Sequence, residues 1–135
     1  MIMPCSITVI TKDNKFKTVY CYFDGFPEDA GKMLAVHYNS QEKAEALIAG
    51  GDILILGERC DRPEHHSFED TFKNYTVYYS NGRNEEINRA RDYIIFSHIL
   101  NEENCNYNYV FDGKKWGYVK MPHNKYIALD DYCSD

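Results

Sequence analysis

A chain of 135 residues can bury one core but not two ordinary ones, so it reads as a single domain. With 44% hydrophobic, 27% charged and 15% aromatic residues, the composition excludes a wholly disordered chain, and no apolar run reaches the ~18 residues of a membrane-spanning helix. The net charge of −6 is uneven: residues 24–70 hold eleven Asp/Glu against four Lys/Arg, a balance of −7 that argues against nucleic acid binding through this half and permits a basic protein partner.

The first fifteen residues lack the basic and apolar regions of a secretory signal, and the five cysteines (Cys5, Cys21, Cys60, Cys105 and Cys133) are odd in number and scattered. The expectation is a cytoplasmic protein with reduced thiols, no bridges and no membrane association.

In chain order, residues 6–11 alternate polar and β-branched residues and predict a strand with Ile7 and Val9 on one face. Residues 12–15 supply turn chemistry, and residues 16–23 resume the strand pattern, so an antiparallel hairpin is expected. Asp24-Gly25 breaks the second strand. Pro27 then opens a helix, with Glu28 and Asp29 at its positive dipole end and Ala30, Met33, Leu34 and His37 spaced to face the core. Asn39-Ser40 caps a second helix carrying Ala44, Leu47 and Ile48, which Gly50-Gly51 closes before a short strand or extended segment over 53–56. Two consecutive helices raise the question of a DNA-reading helix pair. The second carries Glu42, Lys43 and Glu45 and no arginine, which is poor equipment for a major groove.

Residues 58–70 read as a polar surface loop. Cys60, His65 and His66 within it lack the spacing of a zinc site, so no metal is expected. A strand follows over 75–79, then a turn at Ser80-Asn81-Gly82, then a helix from Asn84 to near Asp92, and another helical turn over 97–103. Residues 107–111 and 116–121 form a second predicted hairpin around Asp112-Gly113, with Trp116, the only tryptophan, reading first as a core plate. Residues 1–121 are thus expected to form one α+β domain, an antiparallel sheet packed against two or three short helices, with 122–135 a partly ordered tail.

No phosphate-loop, dinucleotide, esterase-elbow or metalloprotease pattern occurs, and no cofactor is implied. Catalysis would need one of the cysteines beside one of His37, His65, His66, His98 or His123, or acid–base work by Asp24, Arg83, Glu85 or Glu86.

The segment Tyr22-Phe23-Asp24-Gly25-Phe26-Pro27, then Gly31-Lys32-Met33-Leu34, then His37-Tyr38, then Gly51-Asp52 through Leu56-Gly57, resembles a family of small, mostly uncharacterised bacteriophage proteins. That family carries an HWDGYP segment, a G-K-x-L helix, an H-Y pair and a GD-x-S-x-LG segment. The likeness extends over residues 19–119 and departs where Tyr22, Phe23 and Phe26 replace the family's His, Trp and Tyr. Packing tolerates such exchanges among aromatics, whereas acid–base chemistry would not. Asp24, Gly25, Pro27 and Gly31 are therefore read as a structural corner. The resemblance implies a phage accessory protein acting in the host cytoplasm.

The leading expectation is a non-enzymatic binder that modulates a host protein through Glu28, Asp29, Glu42 and Glu45. The alternative is a small-ligand binder, for example one sequestering a nucleotide signal, with Tyr79, Arg83 and Trp116 as contacts. A small enzyme with a Cys/His site is the third reading. Oligomeric state is left open.

Overall fold

The computed structural model describes residues 3–58, 60, 76–78, 90–94, 96–103, 105–121 and 125–129. These residues form a mixed eight-stranded sheet with helices, an α+β arrangement richer in strand than the sequence suggests. The first hairpin is β1 (Cys5–Ile10) and β2 (Phe16–Cys21), paired antiparallel from Cys5↔Cys21 to Ile10↔Phe16. Asn14, at φ 62°, makes its turn. The second is β6 (Tyr107–Phe111) and β7 (Trp116–Lys120), where Gly113 takes φ 102° and the Asp112 carboxylate accepts hydrogen bonds from the Lys114 and Lys115 N–H groups.

The hairpins are joined through parallel pairing of β1 with β6, Cys5↔Tyr107 to Val9↔Phe111, which corrects the all-antiparallel sheet. A second parallel pairing, Cys21↔Ile53, sets β3 (Ile53–Ile55) beside β2, because the helical crossover between them returns the chain in the same direction. Beyond β3 lies β4 (Val77–Tyr78), within the strand expected over 75–79.

Two further expectations change. Arg91, assigned from sequence to a helix, lies in β5 (Arg91–Tyr93), which pairs antiparallel with the Phe16–Thr18 end of β2. Alternation places Arg91 and Tyr93 on one side of that strand, and both bond to Glu103. The expected tail contributes β8 (Lys125–Ala128), paired with β7, and Leu129 is fully buried, so the domain extends past residue 121. The predicted turn at Ser80-Asn81-Gly82 and residues 84–89 of the predicted helix lie outside the described residues.

One face of the sheet carries α1 (Lys32–His37), α2 (Gln41–Ile48) and the core: Ile7, Val9, Val19, Leu34, Leu47, Ile48, Tyr109 and Phe111 are buried together. Ser40 caps α2 as expected, its Oγ accepting the Lys43 N–H at 3.2 Å. Ser40→Ala is expected to lower stability by about 1 kcal/mol, read as a shift in the urea midpoint without a change in slope. Gly51, at φ 88°, ends the helix, and the Tyr78 hydroxyl donates to the Leu47 carbonyl.

Across the sheet, α3 (Phe96–Glu103) runs against β2 and β5, with Phe96 beside Phe16. Ser6 and Thr8, which alternate with Ile7 and Val9 on the central strand β1, are fully buried as well. Their hydroxyls are satisfied: Ser6 donates to Asn108 Oδ1 at 2.7 Å, and Thr8 shares a 2.8 Å hydrogen bond with Thr18.

Candidate functional site

The site begins where β2 ends. Asp24 sits in the left-handed region at φ 58°, which aspartate tolerates better than most residues, and turns the chain out of the sheet. The corner is closed by two backbone hydrogen bonds and one from a side chain: Gly25 N–H donates to Met3 O at 2.8 Å, Ala30 N–H to Asp24 O at 3.2 Å, and the Tyr109 hydroxyl to Gly25 O at 2.7 Å. The predicted helix starts at Pro27 but opens as a wide π-type turn, Pro27–Gly31, before tightening into α1. Its characteristic bonds run from Gly31 N–H to Phe26 O and from Lys32 N–H to Pro27 O. Gly31 is buried under Tyr109 and Leu129, as close helix-to-sheet approach demands.

This wide turn leaves Glu28 and Asp29 exposed while burying Pro27 and Ala30. Together with Asp24 they edge a cleft of about 340 Å³ whose apolar part is Met33, Val36 and Leu56, with Lys32 and His37 completing its charged lining. Wide turns and non-glycine residues at positive φ persist where the surrounding structure holds them, often at functional positions. Here both lie on the wall of one cleft.

His37 closes α1 and belongs to a second cavity as well, of about 390 Å³, shared with Val36, Tyr38, Lys43, Ala46, Glu58 and Cys60. Sequence spacing assigned His37 and Met33 to the core. Leu34 and Ala30 go there and Met33, half-buried, packs against them while also lining the cleft, whereas His37 is half-buried at the cleft. Glu58 Oε1 stands 3.9 Å from His37 Nε2.

The backbone before Glu58 is pinned from two directions. Tyr38 Oη donates to Gly57 O at 2.6 Å, and Gly57 N–H donates to Thr76 Oγ1 at 2.9 Å. Tyr38 is itself tied down, its carbonyl accepting the Trp116 Nε1–H at 2.8 Å.

No family model, curated protein or solved structure matches this chain.

Of the acidic residues singled out from sequence, the fold brings Glu28 and Asp29 together with Asp24 at the cleft. It does not bring Glu42 or Glu45 there: Glu42 is exposed on α2, and Glu45 is half-buried and accepts a hydrogen bond from Gln41. Trp116 is corrected as a ligand contact. It is 2% exposed, packed against Phe111, and its N–H is committed to Tyr38, so no base can stack on it. Tyr79 and Arg83, its proposed partners, lie outside the described residues, as do His65 and His66. Among the described residues no three His, Cys, Asp or Glu side chains converge as a metal site, and no helix is long and apolar enough to cross a membrane.

Sequence reasoning missed Val36, Leu56 and Glu58. A signal existed for one of them: Met33, Val36 and His37 share a helix face at three- and four-residue spacing. Which way that face points depends on how α1 docks, and periodicity carries no information on docking.

Proposed function

We propose that this chain is a non-enzymatic bacteriophage accessory protein that modulates a host protein by holding one of its basic segments in the cleft between the corner, α1 and Leu56. The observation that carries this reading is the union of three carboxylates, Asp24, Glu28 and Asp29, with an apolar wall in one 340 Å³ cleft. A lysine or arginine side chain is the complementary shape: its aliphatic stem lies on Met33, Val36 and Leu56, and its charged head meets the carboxylates. The balance of −7 over residues 24–70 favours approach of such a segment from a distance. The phage setting and host cytoplasm rest on the resemblance of the YFDGFP and GKML segments.

The test compares two charge reversals, Glu28→Lys with Asp29→Lys and Glu42→Lys with Glu45→Lys. Affinity is read by fluorescence anisotropy of a labelled lysine- and arginine-rich peptide, and in parallel by recovery of partners from host lysate. The first pair is expected to weaken peptide binding about 10- to 100-fold at low salt, and the second to leave it within a few-fold. Raising the ionic strength to about 0.5 M should weaken wild-type binding toward the reversed form. Equal peptide affinity and the same lysate partners for wild type and the Glu28/Asp29 variant would overturn the proposal.

A further inference from the structure

The acidic cleft does not end at α1. Val36 and His37 line the second cavity too, of about 390 Å³, so the two hollows meet along the last turn of the helix. Val36 is 50% exposed, which leaves a large apolar side chain open to solvent where they meet. The charge of the two hollows differs. The cleft sets three carboxylates, Asp24, Glu28 and Asp29, against Lys32, whereas the second cavity sets Glu58 against Lys43 and is balanced. Glu58 also faces His37, 3.9 Å away at the boundary. A second cation would gain little in the balanced cavity, and the wall it offers a guest is apolar, from Val36, Ala46 and the small hydrophobic surface of Cys60.

The spacing of the two hollows is set by the helix. Met33 lines the cleft alone and Tyr38 the second cavity alone, five positions apart, which is about 7.5 Å along the helix axis. An extended chain covers about 6.6 Å in two residues, and its side chains at i and i+2 point the same way.

We infer that the groove across α1 reads two side chains of an extended host-protein segment: a lysine or arginine in the cleft and, two residues away, a leucine-sized apolar side chain in the second cavity. The pairing rests on the reading of the cleft as a seat for a basic side chain, and it specifies what must accompany the cation. Charge complementarity fixes which end goes where. Reversed, the cation would lie beside Lys43 and the apolar group among the carboxylates.

The experiment titrates the folded full-length chain at low salt with peptides of one length, each holding a single arginine, and follows the backbone amides by NMR. Leucine two residues from the arginine, in one of the two chain directions, is expected to tighten binding about tenfold over alanine at that position, the yield of burying roughly 50–60 Å² of apolar surface. Leucine next to the arginine points the other way and should add nothing. Only the two-residue spacing should shift the Tyr38 and Ala46 amides. Ala46→Gln, a change at an exposed position, should bring the leucine peptide to the level of the alanine peptide, and Glu28→Lys with Asp29→Lys should weaken both. A leucine effect that is absent in both directions, equal at every spacing or untouched by Ala46→Gln would overturn the inference. In each of those cases the basic-segment reading still stands if the Glu28 and Asp29 reversal weakens the alanine peptide, and falls as well if it does not.

Discussion

Replacing Arg91 by methionine is expected to destabilise the chain by about 2–3 kcal/mol, because it strips a shared cation from a largely buried carboxylate pair. Arg91 bonds Asp52 through Nη1 and Nη2, at 3.2 and 2.9 Å, and Glu103 through Nε and Nη2, at 2.8 and 3.0 Å. The Asp52 and Glu103 side chains are 11% and 6% exposed, so Arg91→Met leaves two largely buried carboxylates without its charge. The Arg91 side chain is itself 34% exposed, which places the effect below the 3–5 kcal/mol range of fully buried pairs.

The location magnifies the consequence. The outer edge of β2 is divided, with β5 on its Phe16–Thr18 end and β3 at Cys21, and the Tyr20 N–H that faces the gap is satisfied by Asp52 Oδ1 at 2.8 Å. Arg91 therefore orients the carboxylate that completes a break in the sheet, and also joins β5 to α3 through Glu103. Tyr93 adds a 2.7 Å bond to Glu103, its hydroxyl pushed up to about 12 by partial burial and by that carboxylate. Urea titration of Arg91→Met checks the magnitude. Adding Glu103→Gln to the variant should recover part of the loss, since it removes one unpaired charge. A deficit below about 0.5 kcal/mol would place the cluster among exposed surface pairs.

Gly25→Ala is the second large effect, about 3 kcal/mol at the upper end of overpacking costs. An added Cβ would lie 2.9 Å from Cys5 Cβ and closer still to the Met3 carbonyl, which accepts the Gly25 N–H. Cys5 cannot yield: it is wholly buried in β1, paired to both β2 and β6. The contrast is Gly117→Ala. The new methyl there would overlap the far end of the Tyr126 ring, which is 47% exposed and can rotate outward. That substitution should remain below about 1 kcal/mol. Comparing the two melting curves separates backbone obstruction from side-chain crowding. Because Asp24 adjoins the obstructed position, Gly25→Ala should also weaken basic-peptide binding even below its melting temperature. Unchanged affinity would show that the corner supports the fold without shaping the cleft.

Local chemistry made much of the architecture legible. The alternation of residues 6–11, the Asp112-Gly113 turn, the Ser40 cap and the Gly50-Gly51 stop each act within a few residues, and each reappears in the structure. The arrangement of the two hairpins was not legible, because β1 meets β6 across about a hundred residues and no local rule specifies a parallel partner. Arg91 misled for a related reason. A helix-compatible stretch was drawn into a strand by its tertiary anchors, Asp52 and Glu103.

The cleft shows the same division. Asp24, Gly25, Pro27, Glu28 and Asp29 could be named from the sequence as a corner and an acidic helix start, since turn chemistry and charge are properties of neighbours in the chain. That Met33, Val36 and Leu56 form the apolar wall beside those carboxylates, and that His37 meets Glu58 on a cavity shared with Cys60, follows only from where the fold sets α1 beside the segment after β3. The acidic character of this half of the protein was thus set by its sequence. Packing alone separated Glu28 and Asp29, which share a cleft, from Glu42 and Glu45, because helix periodicity defines a face and only the sheet decides what that face meets.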